Sequence, residues 1–152
     1  MTSLLRGVED ADLPVLFENQ RDPEALRLVA YVTRERDAFD AHWRRIRADS
    51  TTYLRTIVSE GAVAGHVASF DRSGRREVGY WLRRALWGRG LATAALAEFL
   101  RDVEHARPLY GMVVPHNAAS QRVLAKCGFS RAGEVTEGAQ PLVAYVLMAP
   151  PR

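Results

Sequence analysis

The chain has 152 residues, a formal net charge of +3 and one cysteine, Cys127. That length suits one domain over residues 1–152, with a core that needs no staples. One cysteine excludes an internal disulfide and a multi-cysteine metal site, so no metal is expected. No apolar run approaches the roughly 20 residues that span a bilayer, so no membrane partner is expected. The start, MTSLLRGVEDADLP, lacks an apolar signal region, and a cytoplasmic location is the default expectation. All of the 21 basic residues except Lys126 are Arg. They are scattered and not interleaved with aromatics, which favours a local anion site over a nucleic-acid surface.

In chain order, residues 3–8 read as a short strand. Glu9 to Asp12 offers capping chemistry for a helix whose apolar face is Leu13, Leu16 and Phe17. Asp22-Pro23-Glu24 starts a second helix, with Leu26, Val29 and Ala30 at helical spacing. Residues 33–37 read as a charged loop. Residues 38–48 fit an amphipathic helix with Phe39, His42, Trp43 and Ile46 on one side. From Thr51 the texture turns to strand. Three β-favouring runs, ending near Val58, Phe70 and Arg83 and joined by short turns, predict an antiparallel meander. A helix over 91–106 follows, with Leu96, Phe99, Leu100 and Val103 inward and Glu98, Arg101, Asp102 and Glu104 outward. Residues 108–114 form a strand. Asn117 caps a helix over 118–127 that ends at Gly128. Residues 129–135 and 142–148 are closing strands, the last read as exposed, which leaves a homodimer open. The strand–helix–strand passage between 77 and 114 implies a parallel crossover.

Between the third strand and its helix lies Trp87-Gly88-Arg89-Gly90-Leu91-Ala92. The first N–H groups of a helix have no intrahelical partner and sit at the positive end of its dipole. Glycines admit a phosphate to that backbone. The alternative is that Gly88 and Gly90 only shape the turn. The spacing matches neither GxGxxG nor GxxxxGK[ST].

Four segments in this order resemble the GNAT acyltransferase superfamily, and more narrowly its ribosomal-protein-alanine N-acetyltransferase-like branch. They are Glu77-Val78-Gly79-Tyr80-Trp81-Leu82, Trp87-Gly88-Arg89-Gly90-Leu91-Ala92-Thr93, Asn117-Ala118-Ala119-Ser120 and Lys126-Cys127-Gly128-Phe129. The resemblance implies an α/β fold: a mixed central sheet of about six to seven strands with helices on both faces. It implies acetyl-coenzyme A as cosubstrate, its pyrophosphate on the backbone of residues 87–93. There Trp87 stands where the superfamily often has Gln or Arg. Arg83, Arg84 and Arg89 are candidates to neutralise phosphate, Arg89 first. The pantetheine arm lies along the strand of Tyr80, Trp81 and Leu82, which also offers a backbone oxyanion donor. Asn117 contacts the cofactor, caps the helix, or does both.

The implied reaction moves an acetyl group to a primary amine by direct attack, with no enzyme nucleophile. Cys127 reads as a small buried hydrophobe. Glu77 is the first candidate for the base, with His66 and Asp71 behind it, His66 reading equally as a core histidine and His116 as a loop residue. The superfamily's acidic Tyr, seven residues after the Asn, is here Leu124, and the branch suggests Ser120 beside the sulfur instead. The expected acceptor is a protein or peptide N-terminus, entering near Phe39, Trp43 and residues 34–37. A small-molecule amine such as an antibiotic or polyamine is the alternative acceptor, and a non-catalytic acyl-coenzyme A module is the alternative function.

Overall fold

A computed structural model describes residues 3–29 and 33–149; Ala30, counted above in the second helix, lies outside them. The elements run β1 (Leu5–Arg6), α1 (Leu13–Asn19), α2 (Pro23–Leu26), α3 (Arg36–Ala48), β2 (Tyr53–Ser59), β3 (Ala62–Arg72), β4 (Arg75–Leu82), α4 (Leu91–Asp102), β5 (Leu109–Val113), α5 (Ala118–Lys126), β6 (Ser130–Glu137) and β7 (Gln140–Leu147). One seven-stranded sheet has the order β1-β2-β3-β4-β5-β7-β6. No helix among the described residues is long and apolar enough to cross a membrane.

The two-residue side-chain period of a strand divides the core between the faces. Val78, Tyr80 and Leu82 of β4 join Leu96, Phe99, Leu109 and Leu124 in the cluster under α4 and α5. On the other face Leu16, Phe17, Phe39, Trp43 and Leu54 form a second cluster under α1 and α3. Helices therefore cover both faces, as expected, and β2, β3 and β4 form the expected antiparallel meander.

Several boundaries and roles differ from the sequence reading. The third helix starts at Arg36, inside the expected loop. α4 stops at Asp102, and Glu104, expected outward, is buried. It accepts from Arg76 Nε at 2.6 Å and from the Ala106 N–H at 3.1 Å, which ties the end of the helix to β4. β7 is not an exposed edge: it lies between β5 and β6, so β6 forms that edge of the sheet. Its charged residues Arg131, Glu134 and Glu137, with a register shift between Arg131 and Gly133, discourage further pairing.

Asp12 fastens the N-terminal end. It is buried and takes hydrogen bonds of 2.8 Å from both Arg6 terminal nitrogens, 2.8 Å from the Glu9 N–H and 2.7 Å from the Thr56 hydroxyl. Burial alone favours its protonated form, but these donors outweigh burial and hold the carboxyl at about 2. The folded value lies below the ordinary 3.8, so the stabilisation is complete above about pH 4 and is lost as pH falls toward 2. Asp12→Asn should lower the unfolding free energy at neutral pH by roughly 3 kcal/mol in urea melts. It should also flatten the fall in stability between about pH 4 and pH 2.

Candidate functional site

Among the described residues β4 and β5 are the one parallel pair of the sheet, and they pair only at Glu77 and Tyr110. Beyond that point β4 stays with β3 as far as Leu82, while β5 stays with β7. Gly65 of β3 lets β4 stay close: a Cβ there would lie 1.9 Å from the Trp81 carbonyl oxygen. The parting leaves one edge of residues 79–82 without a strand partner, and a cleft runs through it.

On the α4/α5 face the cleft encloses about 310 Å³ between the 87–93 turn, β4 and α5. Gly88 and Gly90 both have positive φ, 77° and 75°, which bulky residues rarely adopt. Gly90 is the N-cap of α4 and brings no side-chain acceptor, so the first N–H groups of the helix face the cleft without a cap. The Trp87 indole N–H donates to the Leu82 carbonyl at 2.8 Å, which pins its side chain and leaves the turn's backbone to the cleft. Arg84 pairs with Asp22 at 3.0 Å. Arg83 and Arg89 are exposed and have no ion-pair partner among the described residues. This uncapped, positively polarised turn fits a coenzyme pyrophosphate.

On the opposite face the cleft continues as a second space of about 350 Å³, bounded by Phe70, Glu77, Met112, Glu137 and Leu142. Glu77, the first candidate for the base, is only 3% exposed. Burial raises its carboxyl above the ordinary 4.5, partly offset by Arg72 and Arg75. Arg75 donates to Glu77 at 3.3 Å and to Glu137 at 3.2 Å, and Arg72 pairs with Glu137 as well. A carboxylate poised in this way, walled by apolar side chains, can accept a proton from a bound amine.

The two spaces meet at Leu28, Val29, Tyr80, Trp81, Asn117 and Ser120, which line both. Asn117 caps α5 by accepting from the Ser120 N–H at 3.1 Å, and its Nδ2 donates to the Leu28 carbonyl at 2.9 Å. The Tyr80 hydroxyl donates to Ser120 Oγ at 3.1 Å. Leu124 packs on β5, where a Cβ on Gly111 would lie 2.9 Å from its methyls. The other candidates lie elsewhere. His66 stacks edge-on against Trp43 at 5.0 Å, and burial keeps it neutral, with a pKa of about 4. Asp71 is exposed and paired with Arg76. His116 bonds the Arg27 carbonyl at 2.6 Å. Cys127 is half-buried, its thiol pushed up by burial, with Sγ 3.5 Å from the Thr93 carbonyl. Phe39 and Trp43, expected at the acceptor entrance, are core residues that line neither space.

The family described as the acetyltransferase (GNAT) domain matches residues 3–130. The chain belongs to the GNAT acetyltransferase family. No curated protein sequence matches it significantly. Among solved structures, the aminoglycoside acetyltransferase AAC(6')-Ib in complex with coenzyme A superposes with a TM-score of 0.80 at 21% identity, over 97% of this chain and 95% of that one. RimJ of Mycobacterium smegmatis in complex with CoA-disulfide superposes at 0.79 and 22% identity, over 95% and 81%. A GNAT-family acetyltransferase from Bacillus anthracis superposes at 0.77 and 16% identity, over 95% and 93%.

Within this GNAT fold, sequence reasoning missed the bridge at Leu28 and Val29, because the Asn117 and His116 bonds to the carbonyls of residues 27 and 28 cross 89 positions of sequence. It also missed Arg122 and Lys126, which line the cleft from α5 and add positive charge facing the glycine turn. Their helical spacing of four was legible, but not which neighbour that face would meet. The pairing of Arg84 separates the arginines. Arg89→Ala should weaken coenzyme A binding about fivefold by calorimetry and make it less salt-sensitive, whereas Arg84→Ala should change it by less than about twofold.

Proposed function

We propose that the protein transfers an acetyl group from acetyl-coenzyme A to a primary amine, most suitably the N-terminus of a peptide or protein. The observation that carries this is the continuous cleft through the β4–β5 parting, with an uncapped glycine turn at one end and Glu77 at the other. Acetyl-coenzyme A supplies the activated acyl group as a thioester. The turn of residues 87–93 and the free edge of residues 79–82 hold and align it, the edge by main-chain bonds like those of an added strand. A backbone N–H of that edge offers the acyl oxygen a donor. Glu77, directly or through a water, takes the proton of the amine. Ser120, which lines both halves of the cleft, is the candidate hydrogen-bond donor to the departing sulfur.

The charge of the acceptor side supports a single amine. Glu77 and Glu137 are already paired with Arg75 and Arg72, so little uncompensated negative charge remains for a polycation. An aminoglycoside is the competing acceptor, favoured by the likeness to AAC(6')-Ib.

The experiment is thiol release from acetyl-coenzyme A with a panel of peptides, aminoglycosides and polyamines. Turnover with peptides is expected; turnover with aminoglycosides alone overturns the acceptor assignment, and coenzyme binding without any turnover indicates a non-catalytic module. Glu77→Gln should lower kcat about a hundredfold or more. A base works deprotonated, and burial raises Glu77 above 4.5. The acid limb of the wild-type rate should therefore lie above the ordinary carboxylate range and vanish in Glu77→Gln.

A further inference from the structure

Leu124 leaves the cleft without a phenol on α5, yet β4 supplies one from the opposite wall. We infer that Tyr80 and Ser120 act as a hydroxyl couple that holds the departing coenzyme A sulfur as its thiolate, Ser120 donating to sulfur and Tyr80 donating to Ser120. This rests on the acetyl-coenzyme A reading and adds Tyr80 to it as a positioning residue.

Four features of the structure carry it. The Tyr80 hydroxyl donates to Ser120 Oγ at 3.1 Å across the cleft, at the point where its two halves join. A serine hydroxyl has one proton to give and two lone pairs. With one lone pair occupied by Tyr80, the Ser120 proton is left to point into the cleft, and the incoming bond polarises it. Asn117 fixes Ser120 in the first turn of α5, whose positive dipole end favours an anion there. Burial raises the Tyr80 phenol above its ordinary 10, so it remains a donor throughout the working pH range.

The balance of the step is simple. The bond from acyl carbon to nitrogen forms, the bond from acyl carbon to sulfur breaks, and its electron pair leaves on sulfur. The amine proton goes to Glu77 or to water. The couple neither gains nor loses a proton, and solvent protonates the thiolate on release. Hydrogen bonds to the charged form lower a pKa, so the couple should lower that of the bound thiol.

The test needs no acceptor. The thiol pKa of bound coenzyme A is read from thiolate absorbance against pH for wild type, Tyr80→Phe, Ser120→Ala and the double variant. Calorimetry with desulfo-coenzyme A reports whether the cofactor site is intact. We expect a bound pKa at least about one unit below that of free coenzyme A, a tenfold change in the equilibrium. Ser120→Ala should remove most of that shift, leaving what the α5 dipole, Arg122 and Lys126 supply, Tyr80→Phe should remove a clear but smaller part of it, and the double variant should match Ser120→Ala. Desulfo-coenzyme A affinity should stay within about twofold throughout. Glu77, Arg122, Lys126 and Cys127 also face or adjoin this part of the cleft, and all three variants retain them. The inference is overturned if Tyr80→Phe leaves the thiol pKa unchanged with desulfo-coenzyme A affinity intact. It is equally overturned if Tyr80→Phe shifts the pKa further in the Ser120→Ala background. Failure of wild type to bind either coenzyme would instead sink the acetyl-coenzyme A reading, and the inference with it.

Discussion

The parting of β4 from β5 opens the cleft and leaves the edge of residues 79–82 without a strand partner. A parallel pair normally continues its ladder, and abandoning it leaves backbone donors and acceptors without partners. Here the ladder ends after Glu77 and Tyr110. Gly65 keeps β4 on β3, while β7 takes the whole length of β5. The open edge is tolerable because it lines a cleft that water or a ligand can fill. A ligand that supplies amides along that edge would recover the missing bonds.

The same parting sorts the buried polar groups. Asp12 and Glu104 are buried carboxylates saturated by donors, and both are held below their ordinary values despite burial. They fasten β1 to α1 and α4 to β4, and neither lines the cleft. Glu77 is as deeply buried but more sparsely bonded, and burial raises it instead. His66 shows the same contrast among histidines: packed on Trp43 and held neutral, it lines neither half of the cleft. Burial with incomplete satisfaction, in a space open to a substrate, is what separates a candidate reacting group from a structural one.

Local chemistry was legible in the sequence wherever it follows from a residue and its immediate neighbours. Gly88 and Gly90 bracket a strand-to-helix turn and do take positive φ; Asn117 does cap α5. The period-two and helical patterns located the meander and the helices, and the GNAT resemblance pointed to the glycine turn between β4 and α4. What depends on tertiary neighbours was not legible. Glu104 continues the polar face of a helix on paper, but the helix ends before it and Arg76 draws it inward. Residues 142–148 come last in the chain, yet their strand inserts beside β5 rather than at the edge. Phe39 and Trp43 read as an amphipathic face without showing that the sheet would cover it. The bond from Tyr80 to Ser120 joins two positions 40 residues apart, and no spacing rule announces it.

Backbone-amide NMR during titration with coenzyme A tests the central claim most directly. The amides of the free edge, residues 79–82, and of the glycine turn, residues 88–93, should shift together and saturate at one coenzyme per chain. Shifts confined to other parts of the surface, or movement of the turn without the strand edge, would contradict it.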